Sequence, residues 1–142
     1  QDKRIKKVVS WAAVDRFDRF WSEELVAEWK QTGVQYIYNG RTKQQMPLYY
    51  QFYEDFVSNR KKLDVQAAAA EMKIPFLIIH GTTDEAVKYD AATNLHRLCP
   101  HSQLVTIENG GHTFDGKHPW DESELPNDFK KVFEETATFL AD

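Results

Sequence analysis

The stretch "IPFLIIHGTTDEAVKYDAATNLHRLCPHSQLVTIENGGHTF", Ile74 to Phe114, decides how this chain folds. It opens on "IPFLIIHG", a compact apolar run that ends in glycine and does not alternate with polar residues. Such a run reads as a strand covered on both faces, the pattern of a parallel sheet. "KYDAATNLHRLCP" reads as a helix stopped by Pro100, whose ring and missing N–H cannot continue one. "SQLVTIENGG" is a further strand, and "PNDFKKVFEETATFLAD" is a closing helix. Its inner face is expected to carry Phe129, Val132, Phe133, Thr136 and Leu140. Strand, helix, strand, helix predicts an α/β fold built on a parallel sheet.

Upstream, residues 5–14, "IKKVVSWAAV", form another non-alternating apolar run and predict a first strand buried on both faces. "DRFDRFWSEELVAEWKQTG" predicts a helix capped by Ser22, with Glu23 and Glu24 in the first turn, where they favour the positive end of the dipole. Gly33 is its natural stop. In "VQYIYNGRTKQQMPL", Asn39-Gly40 signals a hairpin with a type I′ turn, and Pro47 is expected to end it. An aromatic-rich helix over "LYYQFYEDFVSN" and a short one over "VQAAAAEMK", capped by Asp64, complete this region. Residues 15–72 thus read as a helical and hairpin excursion, and 73–142 as the final strand-helix-strand-helix unit.

With 142 residues, 42% of them hydrophobic, the chain is long enough for one domain with its own core. Eighteen basic residues against 22 acidic ones give a net charge of −4, and the short basic clusters "DKRIKK" and "NRKK" read as solvated surface, not as a nucleic-acid footprint. Cys99 is the lone cysteine, which excludes an internal disulfide and reads as a buried structural thiol. No apolar run approaches the roughly 20 residues that span a bilayer, and no cofactor motif is present.

Ligands of open parallel sheets bind beyond the carboxyl ends of the strands. Two polar residues follow such ends: Asp84 in "HGTTDEAV" and His112 in "NGGHTF". A carboxylate beside an imidazole fixes its tautomer and stabilises the imidazolium formed in general-base catalysis. Gly110 and Gly111 are expected to turn the backbone sharply and leave the ring uncovered. Each residue also has an ordinary reading, Asp84 as a turn former and His112 as an exposed loop residue. The ordered pair at two strand ends is the more specific signal.

Ile74–Phe114 resembles the last third of an α/β-hydrolase, where an acid follows an "HGxxD" strand end and a histidine follows the final strand in a "GGH" context. The continuation "HPW" before a helix is similar to dienelactone-hydrolase-like and serine-peptidase-like members. The resemblance implies a partial α/β-hydrolase fold of about three parallel strands, with Asp84 as triad acid and His112 as triad base. It also implies a nucleophile on a G-x-S-x-G elbow. Ser10, Ser22, Ser58, Ser102 and Ser123 all lack that context, so the serine and the oxyanion hole are expected upstream of Gln1. Two partners follow: an ester, amide or small peptide as substrate, and the missing N-terminal half or a second copy of the chain. By itself the chain is expected to be inactive.

Trp11, Val87 and Phe114 are candidates for the acyl or leaving-group pocket. His118 is the one competitor of His112, but it follows no strand. His80 is expected to pack and bond within its loop, and His96 and His101 to lie at the surface. His112, Asp115 and His118 match no closed metal motif. An aspartate nucleophile, as in dehalogenase-like or epoxide-hydrolase-like proteins, and a non-catalytic interaction domain are the rival readings. A flavodoxin-like module fits less well, because "SWAAVDRFDRF" offers no glycine-rich phosphate loop.

Overall fold

The computed structural model describes residues 2–40 and 42–141. The chain divides into two compact units. One takes residues up to Arg16 together with those from Val65 onward; the other is Phe17–Asp64.

The first unit holds a parallel three-stranded sheet of β1 (Val8–Trp11), β4 (Phe76–Gly81) and β5 (Ser102–Ile107), in the order β1-β4-β5. β4 is central and every residue of it is buried, which is why its sequence never alternates. Its two faces feed two cores. Leu77 and Ile79 pack with Ala12, Ile107, Phe114, Val132 and Phe139; Phe76 and Ile78 pack with Ala69, Ala92, Leu95 and Cys99. The Cys99 thiol is buried, as expected. β1 is shorter than the apolar run that suggested it and only half-buried, because it pairs with β4 along one edge alone.

Helices α3 (Val65–Ala70) and α4 (Asp90–Leu98) pack with the second core, and α5 (Asn127–Ala141) with the first. α5 keeps Phe129 and Val132 of its expected inner face against the first core, but not Phe133 or Leu140. Val132 and Phe139 point inward, while Phe133 and Leu140 are 56% and 54% exposed. Val132 and Phe139 are seven residues apart, two helical turns, so one stripe carries both. The carboxylate of Asp15, buried just before the second unit begins, accepts from Gln66 Nε2 of α3 (3.0 Å) and Asn94 Nδ2 of α4 (2.6 Å).

The second unit contains α1 (Glu23–Thr32), the antiparallel hairpin β2 (Val34–Asn39) and β3 (Gln44–Tyr49), and α2 (Gln51–Ser58). Ser22 Oγ accepts from the Leu25 amide at 3.2 Å, and Gly33, at φ 75°, closes α1 through Trp29 O. Trp21 sits at the centre of the aromatic packing, edge-on to Trp29, Phe52, Tyr53 and Phe56. The hairpin differs from the two-residue type I′ turn expected at Asn39-Gly40. Asn39 pairs with Gln44, the Lys43 amide donates to Asn39 O at 2.8 Å, and Lys43 takes the positive φ. Pro47 lies within β3 opposite Tyr36 and does not end it. A two-stranded ribbon consists only of edges, where a proline costs no ladder bond if its nitrogen faces outward.

Candidate active site

The parallel register of β4 and β5 brings two loops side by side. Both strands end at the Gly81–Ile107 pair, so the "TTDE" and "NGGH" segments leave the sheet at one level. The loops touch at their backbones: a Cβ on Gly81 would stand 2.0 Å from Gly110 O. Only glycine permits that approach. The two threonines of the first loop then tie it to the second. Thr82 Oγ1 accepts from the Asn109 amide at 2.8 Å, and Thr83 Oγ1 lies 2.9 Å from Asn109 O and 3.1 Å from Gly110 O. The left-handed residues of the histidine loop are Asn109, Phe114 and Asp115, and a Cβ on Gly110 would stand 2.7 Å from Ile107 Cγ2.

Asp84 lies at the centre of this arrangement, 2% exposed. Its Oδ1 accepts from the Ala86 amide at 2.9 Å and the Val87 amide at 2.8 Å, an Asx-type turn that fixes the carboxylate plane. Its Oδ2 lies 2.9 Å from His112 Nδ1. Burial, the largest single influence, pushes the Asp84 carboxyl up. The Val87 amide, the hydrogen bond and charge of His112, and the Ala86 amide together outweigh it and hold the group below the ordinary carboxylate range. An ionised carboxylate only accepts, so Nδ1 of His112 carries a proton, and in the neutral imidazole the lone pair is then on Nε2. The His112 side chain is 46% exposed, so that lone pair can be reached.

A second imidazole contacts the same carboxylate. His80, fully buried at the end of β4, places Nε2 2.8 Å from Val87 O and 3.2 Å from Asp84 Oδ2. Its bond to the Val87 carbonyl matches the expectation that it packs and bonds within its loop, while its approach to Asp84 has one signal in the sequence, the i, i+4 spacing of "HGTTD".

The remaining candidates are dispersed. His96, His101 and His118 lie at the surface, and none contacts Asp84. Val87 reaches the site through its backbone, its side chain being buried, and Phe114 is buried in the first core. Trp11 is exposed, and its Nε1 donates to Thr136 Oγ1 at 2.9 Å. Ser10 lies on β1 opposite Ile78, Ser22 caps α1, and Ser102 Oγ bonds Cys99 O at 2.7 Å. None of the five serines hydrogen-bonds His112 among the described residues. No group of three histidine, cysteine, aspartate or glutamate residues among them could hold a metal ion. Nor is any helix among the described residues long and apolar enough to cross a membrane.

Comparisons with known proteins bear on this geometry. A stretch of 49 residues is 39% identical to the AB hydrolase superfamily protein YisY of Bacillus subtilis (strain 168), covering 34% of this chain and 18% of that protein. A putative hydrolase from Agrobacterium vitis S4 superposes with a TM-score of 0.65 at 19% identity, over 94% of this chain and 49% of its own. Est1E from Butyrivibrio proteoclasticus gives 0.61 at 18% identity, over 96% and 50%. The esterase domain of a Rhodothermus marinus protein gives 0.60 at 15%, over 96% and 51%. These likenesses show the fold, and the chain spans about half the length of the solved structures it matches. The sheet is accordingly a partial α/β-hydrolase fold. The family model of the alpha/beta hydrolase fold matches residues 2–117, and the chain belongs to that family.

Proposed function

We propose that this chain carries the acid and base of a serine hydrolase that cleaves esters or small amides and peptides through an acyl-enzyme. The observation that carries the reading is the Asp84 Oδ2–His112 Nδ1 bond of 2.9 Å at adjacent strand ends, with the carboxylate buried and the imidazole reachable. In this scheme a serine on an upstream elbow attacks the carbonyl carbon while His112 Nε2 takes its proton. The proton then passes to the leaving group as the carbon–heteroatom bond breaks. Water, activated in the same way, hydrolyses the acyl-serine. Asp84 keeps the Nδ1–H tautomer and stabilises the transient imidazolium.

The serine and the oxyanion donors belong to the half of the fold upstream of β1. Two observations support this placement. The chain spans about half of its structural relatives, and β1 has one edge without a partner strand among the described residues. Such an edge exposes a row of backbone groups that another strand can satisfy. The test is a fluorophosphonate probe on the whole protein, followed by mass spectrometry of the labelled peptide. Label on an upstream serine, lost in His112→Ala, is the expected result. Label on Ser10, or none at all from an active preparation, overturns the scheme.

A further inference from the structure

We propose that His80 is a positioning residue for the acid, acting as its Nε2–H tautomer. The inference rests on the acid–base reading above. Nε2 faces two oxygens, Val87 O at 2.8 Å and Asp84 Oδ2 at 3.2 Å. A carbonyl and an ionised carboxylate can only accept, so a lone pair on Nε2 would be repelled by both. The proton therefore sits on Nε2. Nδ1, buried with no partner among the described residues, carries only a lone pair. A second proton there would bury an unpaired N–H, a costlier arrangement than an unpaired acceptor.

The placement has two consequences for Asp84. Val87 is held from both sides of its residue: its N–H grips Asp84 Oδ1 at 2.8 Å, and its carbonyl is gripped by His80. His80 thus fixes the turn whose amides hold the carboxylate plane. The same polar N–H edge lies against Oδ2, on the oxygen that bonds His112. A swing of the carboxylate away from His112 would leave that edge facing nothing charged. The ring itself is held edge-on by Tyr89 at 6.1 Å, and the Tyr89 hydroxyl is 2.6 Å from Thr106 Oγ1 on β5. His80 touches no substrate in this scheme; it acts through the acid.

The test uses the whole protein, with p-nitrophenyl acetate as probe substrate and ¹⁵N-edited NMR of its histidines. In the wild type the His80 ring is expected to show a protonated Nε2 and an unprotonated Nδ1. The reverse tautomer overturns the proposal whatever the activity. His80→Gln places an amide N–H close to the Nε2 position and is expected to keep kcat within about threefold, whereas His80→Phe, which fills the space without a donor, is expected to lose about 10- to 100-fold in kcat with KM nearly unchanged. The Nδ1–H proton resonance of His112 should persist in His80→Gln and broaden in His80→Phe. Full kcat in a folded His80→Phe, or equal losses in both variants, refutes the positioning role. If His80→Phe does not fold, the wild-type tautomer and His80→Gln decide. A wild type that neither hydrolyses the ester nor takes a fluorophosphonate removes the acyl-transfer reading, while the NMR result still tests where His80 holds its proton.

Discussion

Replacing Asp84 with asparagine exchanges one oxygen for an NH₂ group at nearly constant volume, so its effects can be worked from the hydrogen bonds alone. The side-chain oxygen of the amide is expected to stay where Oδ1 is, because the Ala86 and Val87 amides require an acceptor at 2.9 and 2.8 Å. The NH₂ then occupies the Oδ2 position and points a donor at His112 Nδ1. To accept it, His112 must move its proton to Nε2, the nitrogen that should receive the nucleophile's proton. The wrong tautomer in a triad of this kind lowers kcat by about 10⁴-fold, or about 5.4 kcal/mol at 1.36 kcal/mol per decade. The fold suffers as well, since the new N–H groups also confront the His80 nitrogen 3.2 Å from Oδ2. A buried donor facing a donor costs about 1–3 kcal/mol. The pH dependence carries a separate sign. Because the folded-state pKa of Asp84 is lowered, its ionisation contributes stability above the unfolded value near 3.8 and loses it as pH falls through the still lower folded value. Wild-type stability should therefore fall more steeply than that of the variant below about pH 4. The assays are p-nitrophenyl acetate hydrolysis by the whole protein and urea unfolding from pH 2 to 7. Activity within tenfold of wild type in Asp84→Asn would falsify the assignment of Asp84 as the acid.

Other substitutions separate the site from its scaffold. His112→Ala should abolish turnover while shifting the melting temperature little, because its side chain is 46% exposed and outside both cores; calorimetry and the ester assay check both halves of that statement. Gly81→Ala forces a methyl group to within 2.0 Å of Gly110 O, backbone that cannot rotate away. It should cost about 3 kcal/mol, the upper end for overpacking, and appear as a lowered urea midpoint. Thr83→Val removes the hydroxyl bonded to Asn109 O and Gly110 O, and about 1 kcal/mol of stability with it; a larger loss in kcat than in stability is expected, because the histidine loop loosens. Ser22→Ala removes the cap of α1 at a cost of about 1 kcal/mol, read by thermal unfolding, with no change in ester hydrolysis.

What the sequence made legible follows from how local each determinant is. β4 is buried on both faces, and its unbroken apolar run declares that without any reference to neighbours. The ends of α1 are equally plain, since Ser22 and Gly33 act on their own turn of backbone. The face of α5 was not legible. Phe129, Val132, Phe133, Phe139 and Leu140 form an apolar arc wider than the sheet covers, and packing alone selects Phe129, Val132 and Phe139. Asn39-Gly40 is a strong turn signal, but the ladder runs one pair further and moves the left-handed residue to Lys43. At the site, strand order alone suggested that Asp84 and His112 meet. The bonds from Thr82 and Thr83, and the approach of His80 to Asp84, depend on the depth to which each loop folds back over the sheet. Periodicity carries no record of that.

Asp15 gives the chain a point of exchange. One buried carboxylate, just before the segment Phe17–Asp64 departs, binds Gln66, just after that segment returns. The sheet unit therefore closes its own circuit at the root of the excursion. Because the entropy of closing a loop grows only with the logarithm of its length, a longer, shorter or unrelated segment could be grafted between those two residues at little thermodynamic penalty. Selection could then replace the excursion while the loops that carry Asp84 and His112 stay as they are.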